Sequence, residues 1–166
     1  MLSNSSNLWH NLLPSLQISI MPNFNFEMTL PADSQKLFEL ATDYENFQQI
    51  FPDQLNEVSI VSKNNSEIIT KEVLTFKTHI KNVKLYQKTL HNVHYPKLVS
   101  NVIEGPFKGT IVQVRFDGFN GGSKVTINVK LQIGLKYKIL TPIITSKYKI
   151  ILASVLYKMN NIVMNL

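Results

Sequence analysis

The stretch Lys124-Val125-Thr126-Ile127-Asn128-Val129-Lys130-Leu131-Gln132-Ile133 is apolar at every odd position and polar at every even one. That period of two marks a strand with one buried face and one wet face. Just upstream, Val112, Val114 and Phe116 alternate with Gln113, Arg115 and Asp117. Between the two runs lies Phe119-Asn120-Gly121-Gly122, and Asn-Gly is the strongest short-range hairpin signal. A two-residue turn at Asn120-Gly121 predicts the register. Phe116 faces Val125, Val114 faces Ile127 and Val112 faces Val129. On the other side Asp117 faces Lys124 and Gln113 faces Asn128. Apolar then meets apolar, and acid meets base.

Downstream, Thr141-Pro142 reads as a helix start, with Thr141 as N-cap and Pro142 first in the helix. Ile144, Tyr148, Ile151, Leu152, Val155, Met159, Ile162 and Val163 form one stripe, with Lys147, Ser154, Lys158, Asn161 and Asn165 on a polar flank. Such a helix is about 30–35 Å long, enough to cross a sheet. Lys147, Lys149 and Lys158 interrupt the run, and a membrane span of ~18 charge-free apolar residues is not expected. A one-sided strand feeding a one-sided helix predicts a helix lying across a curved antiparallel sheet, with space between them.

Toward the N-terminus, Asn23 to Leu30 alternates as a first strand, and Pro31-Ala32-Asp33 turns the chain. Asp33 or Ser34 can cap a short helix carrying Leu37, Phe38, Leu40 and Ala41. Asp43 can cap a second, with Tyr44, Phe47, Ile50 and Phe51 apolar, stopped by Pro52. From Leu55 onward the pattern is a meander: Val58–Val61, Glu67–Thr78, Val83–Val93, Leu98–Glu104 and then the hairpin. The expected order is one strand, two short helices, six strands and a long helix, an α+β arrangement with a seven-stranded sheet. Residues 1–20 read as a poorly ordered extension and 21–166 as a single domain. The extension has no basic n-region and no small-residue cleavage site, so it does not read as a signal peptide.

The chain has 166 residues, 44% of them hydrophobic and 17% charged, ordinary values for a globular protein with a core. Without cysteine it has no disulfide scaffold, thiolate zinc site or cysteine nucleophile, and a reducing, cytoplasmic setting is the default expectation. The net charge of +6 is asymmetric, because seven lysines and no acid follow Asp117. This can mean transient contact with an anionic membrane surface, or only solvation of outer faces. One arginine and no basic-aromatic cluster argue against nucleic acid as a partner.

Three local motifs resemble the helix-grip fold of the START, birch-pollen-allergen and polyketide-cyclase superfamily, known as SRPBCC. They are Leu30-Pro31-Ala32 leading into Leu37-Phe38-Glu39-Leu40, the run Ala41-Thr42-Asp43-Tyr44-Glu45-Asn46-Phe47 on to Phe51-Pro52, and Glu104-Gly105-Pro106-Phe107-Lys108-Gly109-Thr110. The last two especially resemble the polyketide-cyclase/coenzyme-Q-binding branch, and the likeness spans about residues 22–165. It implies binding of a lipid, isoprenoid or quinone, or polyketide between sheet and C-terminal helix. It equally admits a cyclase or dehydratase using the same cavity, or a ligand-free interaction module.

The residues themselves suggest neither a metal nor a cofactor. His91 and His94 are three apart in a strand and point to opposite faces, and there is no HExxH-like pair, P-loop, GxGxxG or GxSxG. Face assignments put Phe76, Leu85, Val102, Val112, Val114, Phe116, Ile127, Val129, Ile151, Val155 and Met159 on the expected cavity wall. Gln87, Thr89 and His91 share a face with Leu85 and supply polar groups if that face is inward; the alternative is an outer or edge position. Glu104 keeps phase with Leu98, Ser100 and Val102. It is either a carboxylate in an apolar cavity, able to work as acid, base or anchor, or an exposed rim residue. Glu104 and His91 are thus the weak candidates for catalysis.

Overall fold

The computed structural model describes residues 22–51, 55–77 and 82–166. The expected extension at 1–20, and with it His10, lies outside the described residues, as do Pro52 and His79. The elements run β1 (Asn23–Leu30), α1 (Ser34–Ala41), α2 (Phe47–Ile50), β2 (Leu55–Asn64), β3 (Glu67–Lys77), β4 (Asn82–His94), β5 (Lys97–Glu104), β6 (Ile111–Phe119), β7 (Gly122–Lys130), a 3-10 helix (Leu135–Leu140) and α3 (Thr141–Met164). The sheet is antiparallel throughout, in the order β1-β7-β6-β5-β4-β3-β2.

The β6–β7 hairpin has the expected register, with Phe116 opposite Val125, Val114 opposite Ile127 and Asp117 opposite Lys124. Asn120 and Gly121 both adopt positive φ, +50° and +79°, as a type I′ turn requires. The wet-face charges pair differently from expectation. Lys124 reaches Glu27 on β1 at 2.9 Å, and Asp117 takes Arg115 on its own strand. Val125, Ile127, Val129 and Leu131 are almost wholly buried. β7 itself stops at Lys130, although Leu131 still donates its N–H to the Pro22 carbonyl.

Both helices near β1 form, unequally. Asp33 caps α1, its Oδ1 accepting from the N–H groups of Gln35 and Lys36, while Leu37 and Phe38 bury the inner face. α2 is shorter than its pattern, one turn only, and Asp43 does not cap it. Asn46 occupies the N-cap, and Asp43 Oδ2 accepts from the Asn46 side chain.

Thr141 likewise is not the cap of α3. The preceding 3-10 helix feeds directly into α3, and Thr141 Oγ1 turns back to donate to the Lys138 carbonyl at 2.6 Å. The stripe of α3 also includes Leu156 and Asn160, both buried. Asn160 Oδ1 accepts the N–H of Ala32, so α3 is tied to the turn before α1 by a buried bond. Length and composition alone would let an 18-residue window within Leu135–Met164 cross a membrane, its mean hydropathy being 1.5 and only 6% of it buried. Here, however, Leu156, Met159 and Val163 belong to the core.

Candidate functional site

The inner face of the sheet, α3 and the short helices α1 and α2 meet in one apolar cluster. Between them is a cavity of about 240 Å³. Its wall is mostly apolar: Leu98 on β5, Val112, Val114 and Phe116 on β6, Ile127 on β7, and Tyr148, Ile151, Leu152, Val155, Leu156 and Met159 on α3. Ala41, Tyr44, Phe47 and Phe51 close the end, with Leu55, Val58 and Leu74 from β2 and β3. Of the expected wall residues, Gln87, His91, Val112, Val114, Phe116, Ile127, Ile151, Val155 and Met159 are brought together here.

The other expected wall residues lie elsewhere. Val102 and Val129 are buried in the core with Phe107, away from the cavity wall. Leu85 is half-buried and borders a shallow depression with Pro106 and Tyr137. Phe76 belongs to β3, but its side chain is outside the described residues.

Glu104 is a correction with a clear cause. In the β4–β5 ladder Thr89 faces Val102 but Lys88 faces Glu104, so Ile103 is an extra residue in a bulge. The bulge reverses the alternation, and Glu104 emerges on the outer face. There its carboxylate meets Lys88 Nζ at 2.8 Å, with 59% of the side chain exposed. Gly105 follows with φ +109°, and a Cβ there would come 2.5 Å from the Tyr86 carbonyl. The tight crossing after the bulge thus requires glycine.

The carboxylate that does face the cavity is Glu72. On β3 it shares a phase with Ile68, Thr70 and Leu74, and it stands opposite Gln87, with Thr70 opposite Thr89 and Ile68 opposite His91. Thr70 Oγ1 donates to Glu72 Oε1 at 2.7 Å; Gln87 Nε2 and Thr89 Oγ1 donate to Oε2 at 2.6 and 3.2 Å. His91 Nε2 lies 3.6 Å from Oε1. Burial alone would raise the Glu72 carboxyl. The nearby His91, then hydrogen bonds from Thr70 and Gln87, outweigh it and hold the group below the usual carboxylate range.

The histidine is fixed from both sides. Its Nε2 is 2.9 Å from Thr70 Oγ1 and its Nδ1 is 2.8 Å from Ser100 Oγ. Thr70 has one hydroxyl proton and gives it to Glu72, so the network assigns the donor role at this contact to His91 Nε2. In the neutral ring, Nδ1 then accepts from Ser100. The Tyr44 ring stacks on the imidazole, with centroids 4.2 Å apart and planes at 28°. Burial, and secondly the Glu72 charge, push the phenols of Tyr44 and Tyr148 well above their ordinary value, so both are neutral hydrogen-bonding groups.

Some of this polar chemistry is unspent. Thr75 Oγ1 and Gln87 Oε1 are buried without a hydrogen-bond partner among the described residues, while Tyr44 Oη leans on Ser100, and all three residues line the cavity. Buried polar atoms in folded proteins nearly always have partners. Such atoms are left to be met by whatever occupies the cavity. The same residues hold no group of three or more His, Asp or Glu placed for a metal ion, among those described.

Glu72, Tyr44 and Ser100 were not expected from the sequence. One signal was available: Glu72 keeps the phase of Ile68, Thr70 and Leu74, and pairing that phase with Gln87, Thr89 and His91 collects every polar group on one patch.

No family model and no curated protein matches the sequence. Solved structures do match the fold. The Zhui aromatase/cyclase from Streptomyces sp. R1128 superposes with TM-score 0.67 at 11% identity, covering 84% of this chain and 93% of that one. A START superfamily protein from Mycobacterium smegmatis gives 0.66 at 11%, covering 86% and 97%. The major latex-like protein 151 from Panax ginseng gives 0.68 at 15%, covering 86% and 97%. The chain has the START/SRPBCC-type helix-grip fold shared by these proteins. Identities this low speak for the fold alone.

Proposed function

We propose that the protein binds, and transiently carries, a compact hydrophobic small molecule bearing at least one polar group. The observation that carries this reading is the pairing of an apolar wall with unpartnered Thr75 and Gln87 atoms in one cavity. A volume of about 240 Å³ is at the small end for ligand pockets, which run to about 300–1,000 Å³. It suits an isoprenoid or quinone head or a small polyketide ring better than a long-chain lipid. Affinity would come from apolar burial at about 25 cal/mol per Å², and orientation from the Glu72–His91–Tyr44 patch. The lysine-rich, acid-free C-terminal third supports transient contact with an anionic membrane surface, a plausible source for such a ligand. A cytoplasmic setting is part of the same reading and rests on the absence of cysteine.

Native mass spectrometry of the purified full chain, followed by organic extraction, tests it. A stoichiometric adduct recovered as an apolar compound supports carriage. A protein that is empty, and stays empty when offered quinones, isoprenoids and aromatic polyketides, would overturn it in favour of an interaction module.

A second reading has its own observation. His91 has both ring nitrogens on protein hydroxyls beside an ionised Glu72, so it can reach a ligand only by relay through Ser100, which lines the cavity, and such a relay would serve a cyclisation or dehydration. Turnover of a bound polyketide-like ligand that is lost in His91→Ala, with binding retained, would favour the enzyme.

A further inference from the structure

The outer side of the 3-10 helix and of the first half of α3 serves neither core nor cavity. Leu135, Ile139, Leu140, Ile143 and Ile150 are all exposed along this stretch, Ile139 at 90%, and Leu135 also borders the depression beside Leu85 and Pro106. Single exposed apolar residues are ordinary, but this many along the stretch 135–150 form a patch that calls for an occupant. Ile143 and Ile150 lie two turns apart on the outer face of α3, and the other three continue the run into the 3-10 helix.

The charges in the same stretch choose among occupants. Lys136, Lys138, Lys147 and Lys149 are exposed, and among the described residues none is in an ion pair with Asp or Glu, though Lys136 and Lys149 lie over the rings of Tyr137 and Phe26. A second copy of this face would set lysines against lysines. Residues 1–21 contain no charged side chain to meet them. Anionic lipid satisfies both features, with the lysines at headgroup level and the isoleucines at the acyl boundary. The inner side of α3 is committed to Leu156, Met159 and Val163 in the core and Leu152 and Val155 at the cavity, which leaves the helix lying on a bilayer and not crossing it.

We propose that Leu135–Ile150 is the surface by which the protein docks on anionic membranes. This deepens the membrane contact proposed above and rests on it, but does not require a ligand in the cavity. Each lysine contributes about fivefold to partitioning on an anionic surface, and each inserted isoleucine about tenfold or more.

The absence of cysteine makes a site-specific test clean. Ile139→Cys in the full chain, carrying a polarity-sensitive dye, is mixed with vesicles of phosphatidylcholine alone or with about one-third phosphatidylserine. The expected result is a blue shift with the anionic vesicles, weak with the neutral ones and reversed by high salt. In flotation assays, Lys138→Gln with Lys147→Gln weakens binding about 25-fold, and Ile139→Glu with Ile143→Glu at least as much. These positions are exposed, and unchanged thermal unfolding confirms the fold. A dye already shifted before vesicles are added means the face is covered by the chain itself or by a second copy, and overturns the proposal. Equal binding to neutral vesicles overturns the role of the lysines. Binding indifferent to both double variants removes this face while leaving membrane contact standing. No binding to either vesicle removes the contact itself.

Discussion

Replacing Glu72 by glutamine keeps the shape of the side chain and removes its charge, so it isolates what the buried carboxylate contributes. Glu72 accepts from Thr70, Gln87 and Thr89. Hydrogen bonds to a charged acceptor contribute about 1.5–3 kcal/mol each, against about 0.5–1.5 kcal/mol for neutral ones. An amide at position 72 would also set nitrogen against Gln87 Nε2, which now sits 2.6 Å from Oε2. Gln87 can turn over and present its unpartnered Oε1, which restores one bond. Losing a buried charge recovers part of the remainder. The net expectation for Glu72→Gln at neutral pH is a destabilisation of about 1–2 kcal/mol, or a Tm lower by about 2–8 °C.

The pH dependence gives the sharper check. The folded-state carboxyl lies below its ordinary value, so its stabilisation is fully present above the unfolded pKa of about 4.3 and is lost as pH falls through the folded value. Wild type and variant should therefore differ most above about pH 5 and converge as the pH is lowered toward 3. Thermal unfolding by circular dichroism across that range reads the gap directly. A gap that stays constant or widens in acid would mean that Glu72 is already protonated in the folded protein, and the account of the site would fail.

Other outcomes follow from single contacts. Val155→Phe puts a ring into the cavity; Tm should hold or rise by a few degrees while uptake of any hydrophobic ligand is lost, whereas a loss of about 1–3 kcal/mol would show that no free room exists there. Gly105→Ala forces a Cβ against the Tyr86 carbonyl at φ +109°, and should cost about 1–3 kcal/mol in chemical denaturation. Asp33→Ala removes the α1 cap and should lower stability by about 1 kcal/mol, with ligand binding unchanged.

Much of this architecture was legible because it depends on local periodicity. The β6–β7 register followed from one Asn-Gly turn and two alternating runs, and strand β1 from Phe24, Phe26, Met28 and Leu30. The cavity wall followed wherever alternation stayed regular, as at Val112, Val114, Phe116 and Ile127. Glu104 takes the exposed of its two expected positions because a single extra residue in the β5 bulge reverses the faces, and nothing in the local pattern announces it. Glu72 is hidden from the sequence pattern for a different reason. A carboxylate in a strand is solvated by default, and only its cross-strand neighbours Gln87 and Thr89 explain how it can be buried. Asn160 shows the limit most plainly, since its polar group is inward to reach a backbone N–H at Ala32, far away in sequence.

One further consequence lies in the sheet order. β1 pairs with β7, so Phe26 meets Ile127 across about a hundred residues of intervening chain. A ribosome releasing this protein therefore exports its opening strand long before that strand has anything to lie against. Contacts so distant in sequence slow folding, and the β1–β7 ladder cannot form until β7 has left the ribosome. Until then the backbone edge of β7 lacks its partner, and a nascent chain halted before Lys124 leaves the Phe and Met of β1 unpaired for chaperones to hold.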